Sequence, residues 1–139
     1  MDALSARPFA GRKVLIVGIA NEHSIAYGCA KAFRELGADP AMTYLNDKAR
    51  TYVEPLAQAL GASIFLPLDV STTGELEEVF ETIRATRGRL DVAVHSIASS
   101  WLVLNNIRDR LHRMYWHCCR LSVQVLSCPD VSIAARRSR

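Results

Sequence analysis

Gly18, Ser24 and Ile25 carry the first chemical signal in the sequence. They follow four unbroken apolar residues, Val14, Leu15, Ile16 and Val17, the pattern expected of a parallel strand buried on both faces. Gly18 permits a tight turn and close approach of a ligand to the backbone. Ser24 has the side chain of a helix cap, placed just ahead of Ile25-Ala26-Tyr27-Gly28. Strand, glycine turn and helix N-terminus together make an anion site, because free N–H groups and the positive end of the helix dipole point above the strand. Gly28, one turn into the helix, is expected to let that helix lie close to the sheet. With the glycines ten positions apart and Ser24 between them, this is not the common G-x-G-x-x-G fingerprint. From these residues alone an ordinary strand-to-helix turn competes, with Ser24 as a plain cap.

The elements that must position these residues follow at regular intervals. Ser24–Leu36 reads as a helix with apolar positions Ile25, Cys29, Phe33 and Leu36, ended by Gly37. Ala41–Leu45 is a second strand, and Lys48–Leu60 a helix that Pro55 must kink or split. Ser63–Leu66 is a third strand, running through Pro67-Leu68 to Asp69-Val70. Thr72 and Glu75 have capping-box spacing ahead of the stripe Leu76, Val79, Phe80 and Ile83. Gly88 ends that helix, and Leu90–Val94 is a fourth strand leading into His95, Ser96, Ile97 and Ala98. This rhythm predicts an α/β fold: a Rossmann-type parallel sheet of order 3-2-1-4 with right-handed crossovers and flanking helices. Its crevice lies at the carboxyl ends of strands 1 and 4, where the winding reverses. Gly18–Ser24, Leu45-Asn46, Asp69-Val70 and Ser96–Ala98 all fall at that edge. That convergence favours a dinucleotide site over an ordinary turn. Asp69 also fits as a plain turn residue, and His95, finishing a buried strand, reads as a core histidine rather than an acid or base.

Half of the 139 residues are hydrophobic and 22% are charged, a globular balance. The formal net charge of +3 is unevenly spread. Residues 1–100 hold 10 basic and 12 acidic residues, whereas 101–139 hold 7 arginines, 2 aspartates and no lysine. The organisation expected is a flexible lead-in over 1–11, a half Rossmann domain over 12–99, and an unmatched basic tail over 100–139. The tail arginines form neither a patch nor a helical stripe, so no nucleic-acid partner is expected. No apolar run of 18 residues exists and the N-terminus has no signal core, so no membrane is expected and the protein reads as cytoplasmic. Cys29 reads as reduced packing material. His112, His117, Cys118, Cys119 and Cys128 fit no zinc spacing, and no metal site is expected. No internal repeat is visible.

Residues 11–98 resemble the N-terminal half of the NADH-dependent enoyl-acyl-carrier-protein reductases, divergent members of the short-chain dehydrogenase/reductases. The resemblance is carried by GIANEHSIAYG (18–28), TYLNDKA (43–49), LDV (68–70) and GRLDVAVHSIA (88–98), in the family's order and at its distances. It implies reduction of a trans-2-enoyl thioester by NADH in fatty-acid synthesis, with the acyl carrier protein and a homotetramer as the family's partners. It also implies cofactor contacts residue by residue. Gly18, Ser24 and Ile25 match the positions around the pyrophosphate and neighbouring ribose, and Asp69 and Val70 those beside the adenine. Ser96, Ile97 and Ala98 match the stretch running towards the nicotinamide. Leu45 departs from a glutamine common near the adenine ribose. With Lys48 and Arg50 close by, NADPH stays open beside NADH.

The family's reaction uses a tyrosine to support the enolate and a lysine to hold the nicotinamide ribose, in a Tyr-x6-Lys pair. Here no lysine follows Lys48, Tyr115 is the sole tyrosine beyond the matched blocks, and position 122 is Ser122. No catalytic residue is therefore assigned. The expectation is a chain truncated after the fourth strand, without the elements that build the tetramer, and with little or no activity. A frameshift near Ser99–Trp101 is the favoured origin of the tail, over a genuine alternative C-terminus. A non-catalytic dinucleotide-binding module and an unstable remnant are the competing readings.

Overall fold

The structure, a computed structural model, describes residues 7–97. Four parallel strands, β1 (Lys13–Val17), β2 (Asp39–Tyr44), β3 (Ile64–Pro67) and β4 (Val92–His95), form one sheet in the order β3-β2-β1-β4. Helices α1 (Ile25–Glu35), α2 (Asp47–Ala59) and α3 (Glu75–Arg87) make the crossovers. The 3-2-1-4 order expected from the sequence is the order found. The pairings Val17↔His95 and Tyr44↔Pro67 bring all four strand ends to one edge.

β1 sits at the centre, and its alternation feeds two cores. Leu15 and Val17 face the layer of α3 with Leu76, Val79, Phe80 and Ile83. Val14 and Ile16 face the layer of α1 and α2 with Ala26, Ala30, Met42 and Val53. The four stripe residues of α3 are at most 2% exposed, and each contributes roughly 1.5–3 kcal/mol by leaving water.

Several local expectations need correction. α1 does not lie on the sheet through Ile25 and Leu36, which are exposed; Ala26 and Ala30 make the close approach, because small side chains bring the helix axis nearer. Gly28 is exposed and a Cβ there would meet nothing, so it is not the residue that permits close packing. α3 has no capping box. Its N-cap is Gly74, with φ of 94° and no side-chain cap, and Glu75 instead turns back so that Oε2 accepts from the Asp69 amide at 2.6 Å. Pro55 does not split α2, which runs on as one element. Thr51 and Pro55 are both exposed, so the Thr51 carbonyl that loses its helical donor is placed to meet water. Residues 7–11 are tied down rather than loose: the Phe9 amide donates to the Leu36 carbonyl at 3.1 Å, and the Phe9 ring packs edge-on against Phe33.

Candidate functional site

The geometry starts where β1 and β4 end side by side. The Ser96 amide donates to the Val17 carbonyl at 3.0 Å, extending the ladder one step beyond β4. That bond holds Ser96 against Gly18, whose φ of +106° is open only to glycine. A Cβ at residue 18 would stand 2.0 Å from the Ser96 carbonyl oxygen and 2.5 Å from its carbon. No side chain fits there, and the chain crosses the sheet end at the closest approach a backbone allows.

The Gly18–Ser24 loop then delivers α1 with its N-terminus at this edge. Asn21 organises the loop: Oδ1 accepts from the His23 amide at 2.9 Å, and its carbonyl accepts from the Ser24 amide and Oγ at 3.2 and 2.7 Å. Ser24 Oγ in turn accepts from the Tyr27 amide at 3.4 Å, so Ser24 is a cap as the sequence indicates. No acidic residue occupies the first turn to cancel the helix dipole.

Above the Gly18–Ser96 contact lies an open cleft of about 500 Å³. Gly18, Ser24, Ile25, Leu45, Val70, Ser96 and Ile97 all line it, so seven of the sequence-assigned positions come together. Asp69 does not line it. Its Oδ1 accepts from the Ser71 amide at 2.9 Å and the Ser71 hydroxyl at 2.5 Å, and these bonds hold the carboxyl below its ordinary range. Ala98 lies outside the described residues, as do His112, His117, Cys118, Cys119 and Cys128. Among the described residues no His, Cys, Asp and Glu cluster has the makings of a metal site. No helix among them is long and apolar enough to cross a membrane.

His95 is 3% exposed at the end of β4, and neither ring nitrogen has a partner among the described residues. Burial pushes its pKa down, favouring the neutral ring. It is a core residue, as expected, though among the described residues its ring lacks the hydrogen bond expected of one.

The cleft also has walls that spacing arguments missed. Thr43 and Tyr44 come from the end of β2, Ala49 from α2, and Leu68 from the loop after β3. The signal was available in one respect: residues that close a parallel strand stand at the crevice whatever their type. Tyr44 packs its ring on Phe65, with centroids 4.7 Å apart, and Arg50 stands over the ring. Among the described residues, none that lines the cleft is charged. An anion there would be met by backbone N–H groups and the helix dipole, while a flat apolar group would find the Leu45, Leu68 and Val70 side.

The profile of the family described as enoyl-(acyl carrier protein) reductase matches residues 18–128. The chain belongs to this family. It is 42% identical over 88 residues to the NADH-dependent enoyl-[acyl-carrier-protein] reductase of Haemophilus influenzae, covering 63% of this chain and 34% of that protein. It is 34% identical over 134 residues to the second such reductase of Rhizobium meliloti, covering 92% of this chain and 47% of the relative. The chain thus spans about a third to a half of the length of these relatives. The crystal structure of the Anaplasma phagocytophilum reductase in complex with NAD is 39% identical, with a TM-score of 0.63 over 66% of this chain and 35% of that one. The Aquifex aeolicus reductase is 27% identical, with a TM-score of 0.75 over 86% of this chain and 56% of its own. What this enoyl-reductase family chain shares with these two structures is the fold.

Proposed function

We propose that the cleft binds NADH, and that the chain carries the cofactor half of an enoyl-acyl-carrier-protein reductase acting in fatty-acid synthesis. The observation that carries this reading is the Gly18–Ser96 contact beneath an uncharged cleft, with the N-terminus of α1 beside it. The relatives support it: two are named as NADH enzymes, and one structure contains NAD. In this reading Gly18, Ser24 and Ile25 hold the pyrophosphate through backbone amides. Leu45 borders the adenine ribose, and Val70 lies against the adenine. Asp69, tied to Ser71 and outside the cleft lining, shapes the loop that presents Val70. Ser96 and Ile97, followed by Ala98, run towards the nicotinamide.

The cofactor supplies a hydride when bound. This chain's residues bind and orient it, and no tyrosine–lysine pair of the Tyr-x6-Lys kind is present to meet the enolate. The 139-residue chain is therefore expected to bind NADH and to turn over a crotonyl thioester slowly or not at all. The substrate carrier protein and a tetramer are the family's partners. Titrating the purified chain with NADH by cofactor fluorescence tests the first point, with saturable one-to-one binding expected. A folded chain that shows no saturation overturns the reading, and brisk oxidation of NADH with crotonyl thioester overturns the assignment of low activity.

A further inference from the structure

We propose that Glu75 is a positioning residue for the cleft: its carboxylate ties the start of α3 to the loop after β3 and so fixes the wall formed by Leu68 and Val70. The inference rests on the reading of the cleft as a dinucleotide site and deepens it at that wall. β3 ends at Pro67, and the Leu68 amide donates to the Tyr44 carbonyl at 2.7 Å, one step beyond the strand. From there the chain leaves the sheet, yet Leu68 and Val70 both line the cleft and are only 4% and 7% exposed. A loop rather than a strand therefore supplies this wall, and its own bonds decide how firmly the wall stands.

The Ser71 amide and hydroxyl donate to Asp69 Oδ1 at 2.9 and 2.5 Å, and the Thr72 amide donates to the Asp69 carbonyl at 3.0 Å. These bonds close the loop on itself and set its shape. They do not anchor it to a neighbouring element. Glu75 does, because its Oε2 accepts from the part-buried Asp69 amide at 2.6 Å, six positions back along the chain. The bond is charge-assisted, and the amide it holds joins Leu68 to Asp69, beside both cleft residues. The far end of the tether is fixed as well. Glu75 is the first residue of α3, and the next residue, Leu76, packs in the same core cluster as Leu68 and Val70. Without the carboxylate, the Asp69 N–H loses its acceptor and must turn towards water, and Leu68 and Val70 move with it.

Fluorescence titration of the purified chain with NADH, paired with amide spectra, tests this. Glu75→Ala is expected to weaken NADH about fivefold, because ordering the loosened loop is added to the cost of binding. Glu75→Asp keeps the charge but falls one methylene short, so it is expected to show the same loss, and it decides the matter if the alanine variant does not fold. Glu75→Gln keeps an acceptor oxygen at the same reach and is expected to restore affinity to within about twofold. Glu78→Ala removes a charge from the same helical turn at an exposed position and is expected to change affinity less than about twofold. In the free chain the Asp69 amide proton should move upfield in Glu75→Ala and Glu75→Asp, while the Gly18 and Ser96 amides keep their shifts. Folded Glu75→Ala or Glu75→Asp chains that bind NADH as the unsubstituted chain does overturn the proposal. So does a Glu75→Gln variant that loses as much as Glu75→Ala, or a Glu78→Ala variant that loses equally, since charge at the helix start would then be the cause. A folded unsubstituted chain that binds no NADH overturns the cleft reading itself, and this proposal with it, even where the Asp69 amide behaves as expected.

Discussion

The two edges of the sheet are built by opposite means. At the amino edge, charges are paired. Lys13 Nζ and Arg87 Nη2 lie 2.8 and 3.2 Å from the Asp39 carboxylate, and Arg87 also donates to the Asp39 and Pro40 carbonyls and to Ser63 Oγ. Asp91 joins Arg12 and Arg89 there and accepts from the Lys13 amide at 2.7 Å. At the carboxyl edge, the described residues that line the cleft are uncharged, with Ser24, Thr43 and Ser96 among them. One edge pairs its charges, although Arg87 Nε has no hydrogen-bond partner among the described residues; the other keeps a cavity open. The difference teaches where stability and function reside in this chain, and each of the following changes should move one edge without the other.

The largest effect is expected at residue 18. Gly18→Ala drives a methyl group to 2.0 Å from a backbone oxygen in a left-handed conformation. The loss should be about 2–4 kcal/mol of stability, together with NADH affinity reduced more than about tenfold, read by denaturant titration and cofactor fluorescence.

Arg87→Met at the other edge should cost about 2 kcal/mol by leaving Asp39 without its buried partner, with NADH affinity of the folded fraction unchanged. If that variant loses cofactor binding while still folded, the edges are not independent.

Acid should weaken the fold in two stages, both in the same direction. Burial holds the His95 pKa below its ordinary 6.5, so the unfolded chain binds more protons. Its contribution is complete above about pH 6.5 and is lost as pH falls below that, by at most about 1.4 kcal/mol per pH unit. Burial pushes the Asp39 carboxyl up, but the Lys13 hydrogen bond, the Arg87 charge and Ser63 outweigh it and leave its pKa below 3.8. That contribution persists above the ordinary carboxylate range and disappears at lower pH. Thermal melts from pH 8 to pH 3 should show both stages, and Arg87→Met should remove part of the second, the Lys13 contribution remaining.

The smallest effect is the cap. Ser24→Ala should cost about 1 kcal/mol and weaken NADH only a few-fold, since the first amides of α1 remain in place. A total loss of binding would assign the Ser24 hydroxyl a direct role on the ligand.

The sequence made the carboxyl edge legible because its signals are local. An unbroken apolar run, a glycine and a cap lie within Val14–Ser24, and the α3 stripe keeps its period. The amino edge was illegible because Arg87 reaches Asp39 across 48 positions and no spacing rule joins them. Gly28 misled because a glycine one turn into a helix resembles a packing glycine, while the neighbours Ala26 and Ala30 do the packing. Thr72 and Glu75 misled because spacing cannot show that a glutamate turns back to a strand-end amide. Of the candidate site, the positions at strand ends were readable from order alone. Ala49 was not, since only the fold brings the start of α2 over the end of β2.

Residue-resolved amide shifts during an NADH titration test the division of labour most directly. The amides of Gly18, Ile25, Ala26 and Ser96 should move together and saturate at one equivalent, while those of Lys13, Asp39, Arg87 and Asp91 stay still. Saturating shifts centred on the amino edge, or none anywhere in a folded chain, would contradict it.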